Sequence, residues 1–159
     1  GGNGANKMPF GEGAQILKMS TSFYYVANNP AGVPALYRRG LTGGAATELL
    51  AGVEDMQLEF GVGENKGTGE GYVIKEYKTA NNVLPHEWDS MDGDDFSFVS
   101  VRYSLLVRNE ENTLEEPQVY TFAGKSYVGG VAGTVQTAAS DKRLRQIFTN
   151  TVGVRNRLR

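Results

Sequence analysis

"FSFVSVRYSLLVR", residues 96–108, decides the fold. Val99, Val101, Tyr103, Leu105 and Val107 recur at every second place, and Ser100, Arg102, Ser104 and Arg108 fill alternate ones. A period of two belongs to a β-strand with one face toward a core and the other toward water. The odd-numbered apolar set is therefore expected to point into the core. The segment is also too rich in β-branched and aromatic residues to favour a helix.

The same grammar extends in both directions. "STSFYYVA" (20–27) and "VPALYRR" (33–39) read as a hairpin turning around Pro30 and Gly32. Residues 47–53 are expected to start a helical turn with Thr47 as its cap. Met56, Leu58 and Phe60 alternate with Asp55, Gln57 and Glu59, which restores the strand period. "YVIKEYK" (72–78) is a further strand, and "QVYTFAGKSYVGG" (118–130) is a hairpin turning near Gly124 and Lys125. With 21 glycines and recurrent turn signals between short strands, the expected class is mainly β, built of antiparallel sheets. Residues 1–19 read as a linker and residues 20–159 as a single β-rich domain. The opening "GGNGANK" and the lack of an initial Met suggest a piece of a longer protein.

The ending "DKRLRQIFTNTVGVRNRLR" (141–159) admits three readings: a nucleic-acid arm, a membrane-surface helix or a strand. A formal net charge of −2 and a pI near 5.5 argue against nucleic acid, whose partners usually present a strongly basic domain. A membrane-surface helix needs a clean apolar face, and Thr149, Thr151, Val152 and Gly153 weaken a helix interior. A long strand with a bulge at Gly153 fits best. Arg145, Arg155 and Arg157 are then expected on its solvent side or at a subunit contact.

Little in the chain suits catalysis. There are 0 cysteines and one histidine, His86, which removes thiol chemistry and multi-histidine metal sites. "LPHEWDSMDGDD" offers His86 with several carboxylates, so a hydrolase is conceivable, but no nucleophile accompanies it. Asp92, Asp94 and Asp95 are the candidate calcium ligands. Their spacing fails the EF-hand pattern, since Phe96 falls where an oxygen ligand is needed, and a solvated acidic loop is the preferred reading. "GVGENKGTGEGY" lacks the Gly-Lys-Ser/Thr ending of a phosphate loop. Trp88 reads as a loop anchor rather than a ligand platform. The 8 tyrosines suit packing on sheets better than sugar stacking. No catalytic residue, cofactor site or bound metal is assigned.

Four blocks occur in order: "SFYYVANNPAGVPALYRR", "ELLAGVEDMQLEFGV", "VSVRYSLLVR" and "DKRLRQIFTNTVGVRNRL". Together they resemble the C-terminal region of PilW-type minor pilins of bacterial type IV pili, which look related to the J-type minor pseudopilins of type II secretion. The resemblance covers most of the chain from about Ser22 onward. It implies a pilin-like globular domain whose full-length form is α+β and carries a cleaved leader and a long apolar anchoring helix, neither of which occurs in these residues. It further implies a structural subunit at the inner membrane, periplasm and pilus tip that helps prime assembly. The implied partners are other minor pilins and a tip adhesin, and the implied setting is adhesion and twitching motility. Sheet edges, Trp88, Arg145, Arg155 and Arg157 are then the contact candidates. Self-association of the chain as a homodimer through uncovered edges is expected as well. The rival reading is an extracellular carbohydrate-binding β module.

Overall fold

A computed structural model describes residues 19–67, 71–88, 96–129, 137–138 and 141–154. The first described elements are the hairpin strands β1 (Ser22–Asn28) and β2 (Pro34–Gly40), which pair antiparallel from Ser22 opposite Gly40 to Asn28 opposite Pro34. Asn29 makes the turn: its side-chain oxygen accepts from the Ala31 and Val33 N–H groups, each at 3.0 Å. Gly32 supplies the left-handed residue with φ 76°.

Residues 47–51 form a strand and not the expected helical turn. β3 (Thr47–Ala51) pairs with β2 and completes a three-stranded sheet in the order β1-β2-β3. Tertiary pairing overrides the local helical pattern because β2 offers an open edge beside it. Gly52 then turns the chain into β4 (Val53–Asn65). Its φ is 83°, its N–H donates to the Pro34 carbonyl at 2.7 Å, and its carbonyl accepts from Arg108 N–H at 2.8 Å. One glycine thereby ties both sheets to each other.

β5 (Tyr72–Lys78) follows, then a 3-10 turn (Ala80–Asn82), the one-turn helix α1 (Pro85–Trp88) and β6 (Phe96–Asn112). β7 (Tyr120–Phe122) and β8 (Lys125–Gly129) form the expected hairpin, with β9 (Thr137–Ala138) parallel to β8. β10 (Arg143–Gly153) closes the main sheet, whose order is β10-β6-β4-β5 with all neighbours antiparallel. The mainly β, antiparallel class is as read from the sequence.

The tail is a strand, but its irregularity lies elsewhere than expected. The register shifts between Arg143 and Arg145, and pairing runs evenly from Arg145 through Gly153. Gly153 therefore ends the strand and carries no bulge within it.

The apolar face of β6 also departs from expectation. Only Val99 of the odd-numbered set is fully buried, while Val101, Tyr103, Leu105 and Val107 are half-buried. Leu106, from the opposite set, is buried instead. The register slips where Gly61 faces Ser100 and Val62 faces Phe98, so Val99 lies between the two pairs. Such a bulge reverses the alternation. It brings Phe98 to the side of Val101 and turns Val99 toward Gly63, whose added Cβ would lie 3.1 Å from a Val99 methyl. The buried apolar centre consists mainly of small residues, Ala35, Val53, Val62, Val83 and Val99, with Leu106 and Phe122.

Candidate interaction surface

The main sheet presents two unlike faces. On one, Met56 and Leu58 of β4 lie opposite Leu105 and Tyr103 of β6, and Phe148 and Val152 of β10 lie opposite Leu105 and Val101. This apolar face is only partly covered. Trp88 of α1 closes one end, meeting Phe60 edge-on with ring centroids 4.6 Å apart and Phe98 at 5.3 Å. At the other end the β1–β2 hairpin stands off and leaves a cleft of about 650 Å³. Phe23, Tyr24 and Leu36 line one wall, and Met56, Leu58 and Leu105 the other. Between the two covers, Leu58 is 42% exposed and Phe148 and Val152 are each 55% exposed. Exposed apolar side chains gathered on one face make it a candidate contact surface.

The second face is polar, and its arginine and threonine side chains are paired within the sheet, while the buried Ser100 Oγ has no hydrogen-bond partner. Arg102 donates to Glu59 at 2.9 Å and stacks over the Tyr77 ring with its guanidinium carbon 3.8 Å from the centroid. The Ser104 and Thr149 hydroxyls share a hydrogen bond of 2.8 Å. Phe122, Ala123 and Gly124 of the β7–β8 hairpin lean over this face beside Ile147.

At the start of β10 lies a buried ionic cluster. Arg145, expected on the solvent side or at a subunit contact, is 3% exposed. Its guanidinium meets Glu54 at 2.7 and 3.0 Å and Asp141 at 2.7 and 3.1 Å, both in bidentate fashion. Arg108 reaches the same Glu54 at 3.2 Å. The β10 bulge, the strand entry at Val53 and the loop before β10 converge there, so the arginine turns inward toward two carboxylates. The Arg145 hydrogen bond holds the Asp141 carboxyl below its usual value, and the pair raises the arginine further. A guanidinium so used ties elements together.

The other sequence candidates fall as follows. Arg155 and Arg157 lie outside the described residues, as do Asp92, Asp94 and Asp95. Trp88 is half-buried among aromatic rings, as a loop anchor is. His86 is exposed on α1. Its neighbour Glu87 is buried, receives Lys78 Nζ at 2.7 Å and accepts from the Leu84 N–H at 2.7 Å. Burial pushes the Glu87 carboxyl up, but the lysine and the N–H together outweigh it and leave it lowered. Among the described residues no three metal-ligating side chains converge. Tyr25 stacks on Tyr37 and Tyr120 on Tyr127 across their hairpins, with centroids 5.6 and 4.7 Å apart, so one face of each ring is already taken.

One open edge of the main sheet is that of β10. The Val154 N–H donates to the Val99 carbonyl at 2.7 Å, and the even register carries this phase back along the strand. Even-numbered residues therefore aim their backbone groups at β6 and odd-numbered ones aim outward. At Arg145 the Gln118 side chain fills the outward position: its oxygen accepts from the N–H at 2.6 Å and its amide donates to the carbonyl at 3.0 Å. Beyond Arg145, the Ile147 and Thr149 backbone groups have no partner among the described residues. This edge was the feature the sequence reading did not isolate. Its signal was present in "QIFTNTVGV", nine residues without a charge.

The chain matches the family described as Type IV Pilus-assembly protein W over residues 23–156. It belongs to that family. The matched range takes in all the described strands except the first residue of β1. Membership assigns the chain to pilus assembly in the cell envelope. No helix among the described residues is long and apolar enough to cross a membrane. No curated protein and no solved structure matches the chain.

Proposed function

We propose that the chain is the β-rich part of a minor pilin, a structural subunit that helps prime type IV pilus assembly. In this reading it joins other minor pilins in a complex at the pilus tip and supports a tip adhesin there. The observation that carries the reading is the apolar face of the main sheet. Leu58, Phe148 and Val152 stay exposed on it while the charged groups of the opposite face are paired. A surface of that composition serves association, and no nucleophile accompanies His86 among the described residues. Binding by strand addition or apolar contact needs no cofactor.

The test is direct mixing of the purified chain with the soluble domains of the other minor pilins of the same pilus system. A stable complex by size-exclusion chromatography with light scattering is expected. Substituting Phe148→Ser, an exposed position, is expected to weaken it at least tenfold while the melting temperature stays within a few degrees. Independent migration of every component at tens of micromolar would remove the reading.

A further inference from the structure

We propose that β10 pairs edge to edge with β10 of a second copy, antiparallel, about a two-fold axis at Asn150. This goes beyond the pilin reading and stands or falls apart from it.

Three observations converge. The first is the free edge itself: odd-numbered residues from Ile147 onward aim their backbone groups outward, and Ile147 and Thr149 have no partner among the described residues. Thr151 N–H is held only by its neighbour's side chain, Asn150 Oδ1, at 2.8 Å, a bond that a new strand readily replaces.

The second is how the protein treats its other edge. Natural sheets protect open edges with charge, proline or bulges. The opposite edge of the main sheet, β5, carries Lys75, Glu76 and Lys78. β10 places its bulge and its arginines before residue 146, where Gln118 fills the edge, and leaves 146–153 uncharged and free of proline. The protection stops where the free edge begins.

The third is the sequence of the edge. "FTNTV", residues 148–152, reads apolar-Thr-Asn-Thr-apolar in either direction. Pairing about Asn150 sets Phe148 against Val152 of the second copy on the apolar face. It sets Thr149 against Thr151 on the polar face and Asn150 against itself. Aromatic with β-branched, and threonine with threonine, are among the favourable cross-strand pairs. The phase agrees as well. Thr149 and Thr151 become the hydrogen-bonded pair because their backbone groups point outward, and Phe148 and Val152 fall in the closer, non-hydrogen-bonded pair. Asn150 is likewise a non-hydrogen-bonded pair with its own copy, with α-carbons about 4.5 Å apart. The two apolar faces then run on across the axis and cover each other's exposed flanks at Phe148.

That last distance supplies the test. The chain has no cysteine, and α-carbons separated by about 4.4–6.8 Å accept a disulfide. Asn150→Cys is expected to give a disulfide-linked dimer under mild oxidation at micromolar concentration, at least tenfold faster than Val73→Cys, an exposed control on β5. The unsubstituted chain is expected to sediment as a concentration-dependent dimer. Thr149→Pro, which removes an outward N–H not used in folding, is expected to return it to monomer with its circular dichroism unchanged. Should Thr149→Pro disturb the fold, Thr149→Lys gives the same reading, because the two lysines lie on the diagonal across the axis within reach of each other's charge. Cross-linking of Asn150→Cys no faster than the control, a monomer at hundreds of micromolar, or a dimer that survives both Thr149 substitutions overturns the proposal. So does an edge that takes up another pilin while refusing its own copy.

Discussion

Arg145 and Glu54, 91 residues apart, form a bidentate pair at 2.7 and 3.0 Å with the arginine side chain almost wholly buried. The pair fastens the entry of β10 to the start of β4, on either side of β6. Removing one partner of a buried pair typically costs about 3–5 kcal/mol, because the other charge is stranded. Arg145→Ala is expected to lose stability in that range by urea unfolding, with a much smaller loss in Glu54→Gln/Arg145→Met made together. A double variant as unstable as the single one would show that packing, and not pairing, dominates.

Acid sensitivity follows from the same cluster. The folded Asp141 carboxyl sits below its ordinary value of 3.8, chiefly because Arg145 donates to it. The unfolded chain therefore binds the proton first as pH falls, and stability drops. The contribution is full above the ordinary value and is lost as pH falls through the lower folded one. Melting temperature is expected to decline below about pH 4, and the decline should be shallower in Asp141→Asn. An identical slope in the variant would exclude Asp141 as a source.

Gly52 is expected to resist substitution. Its φ of 83° strains any side chain, and an added Cβ would lie 2.5 Å from the Arg108 carbonyl oxygen. Gly52→Ala should lower stability by at least ~1–3 kcal/mol, whereas Gly67→Ala, also at positive φ but in open space, should cost about 1 kcal/mol. Comparable losses at both sites would mean that the close approach to β6 is relieved by a small shift.

Trp88 holds α1 to the sheet through Phe60 and Phe98. Trp88→Ala is expected to cost ~2 kcal/mol, less than the ~3–5 of a fully buried tryptophan, because part of the ring is exposed. Its fluorescence should shift to the red on unfolding in the unsubstituted protein. If truncation leaves stability unchanged, the ring is a surface feature and not an anchor.

Most of the strand order of events was legible in the sequence. Period two and turn residues are local signals, and they located the first hairpin, β4, β5, β6, the Tyr120–Gly129 hairpin and the tail strand. What failed is non-local. Thr47–Ala51 became a strand because β2 lay beside it, a fact no window of sequence contains. The β6 bulge turned Val99 away from Val101, Tyr103, Leu105 and Val107, and the face those four share is only partly covered, so the regular pattern 99–107 did not mean a buried face. Arg145 looked like surface charge because its carboxylates, Glu54 and Asp141, gather around it only on folding. The interaction surface was legible only in part: its residues stand out as apolar, but their exposure depends on which neighbours cover them.

In its proposed role this chain acts as a subunit of pilus assembly through its contacts. The most direct measurement is the amount of surface pili sheared from cells lacking the gene, compared with cells complemented by the intact and the Phe148→Ser forms. The expected result is few pili in the deletion, recovery with the intact gene and poor recovery with the variant. Normal surface pili in the deletion would contradict the account.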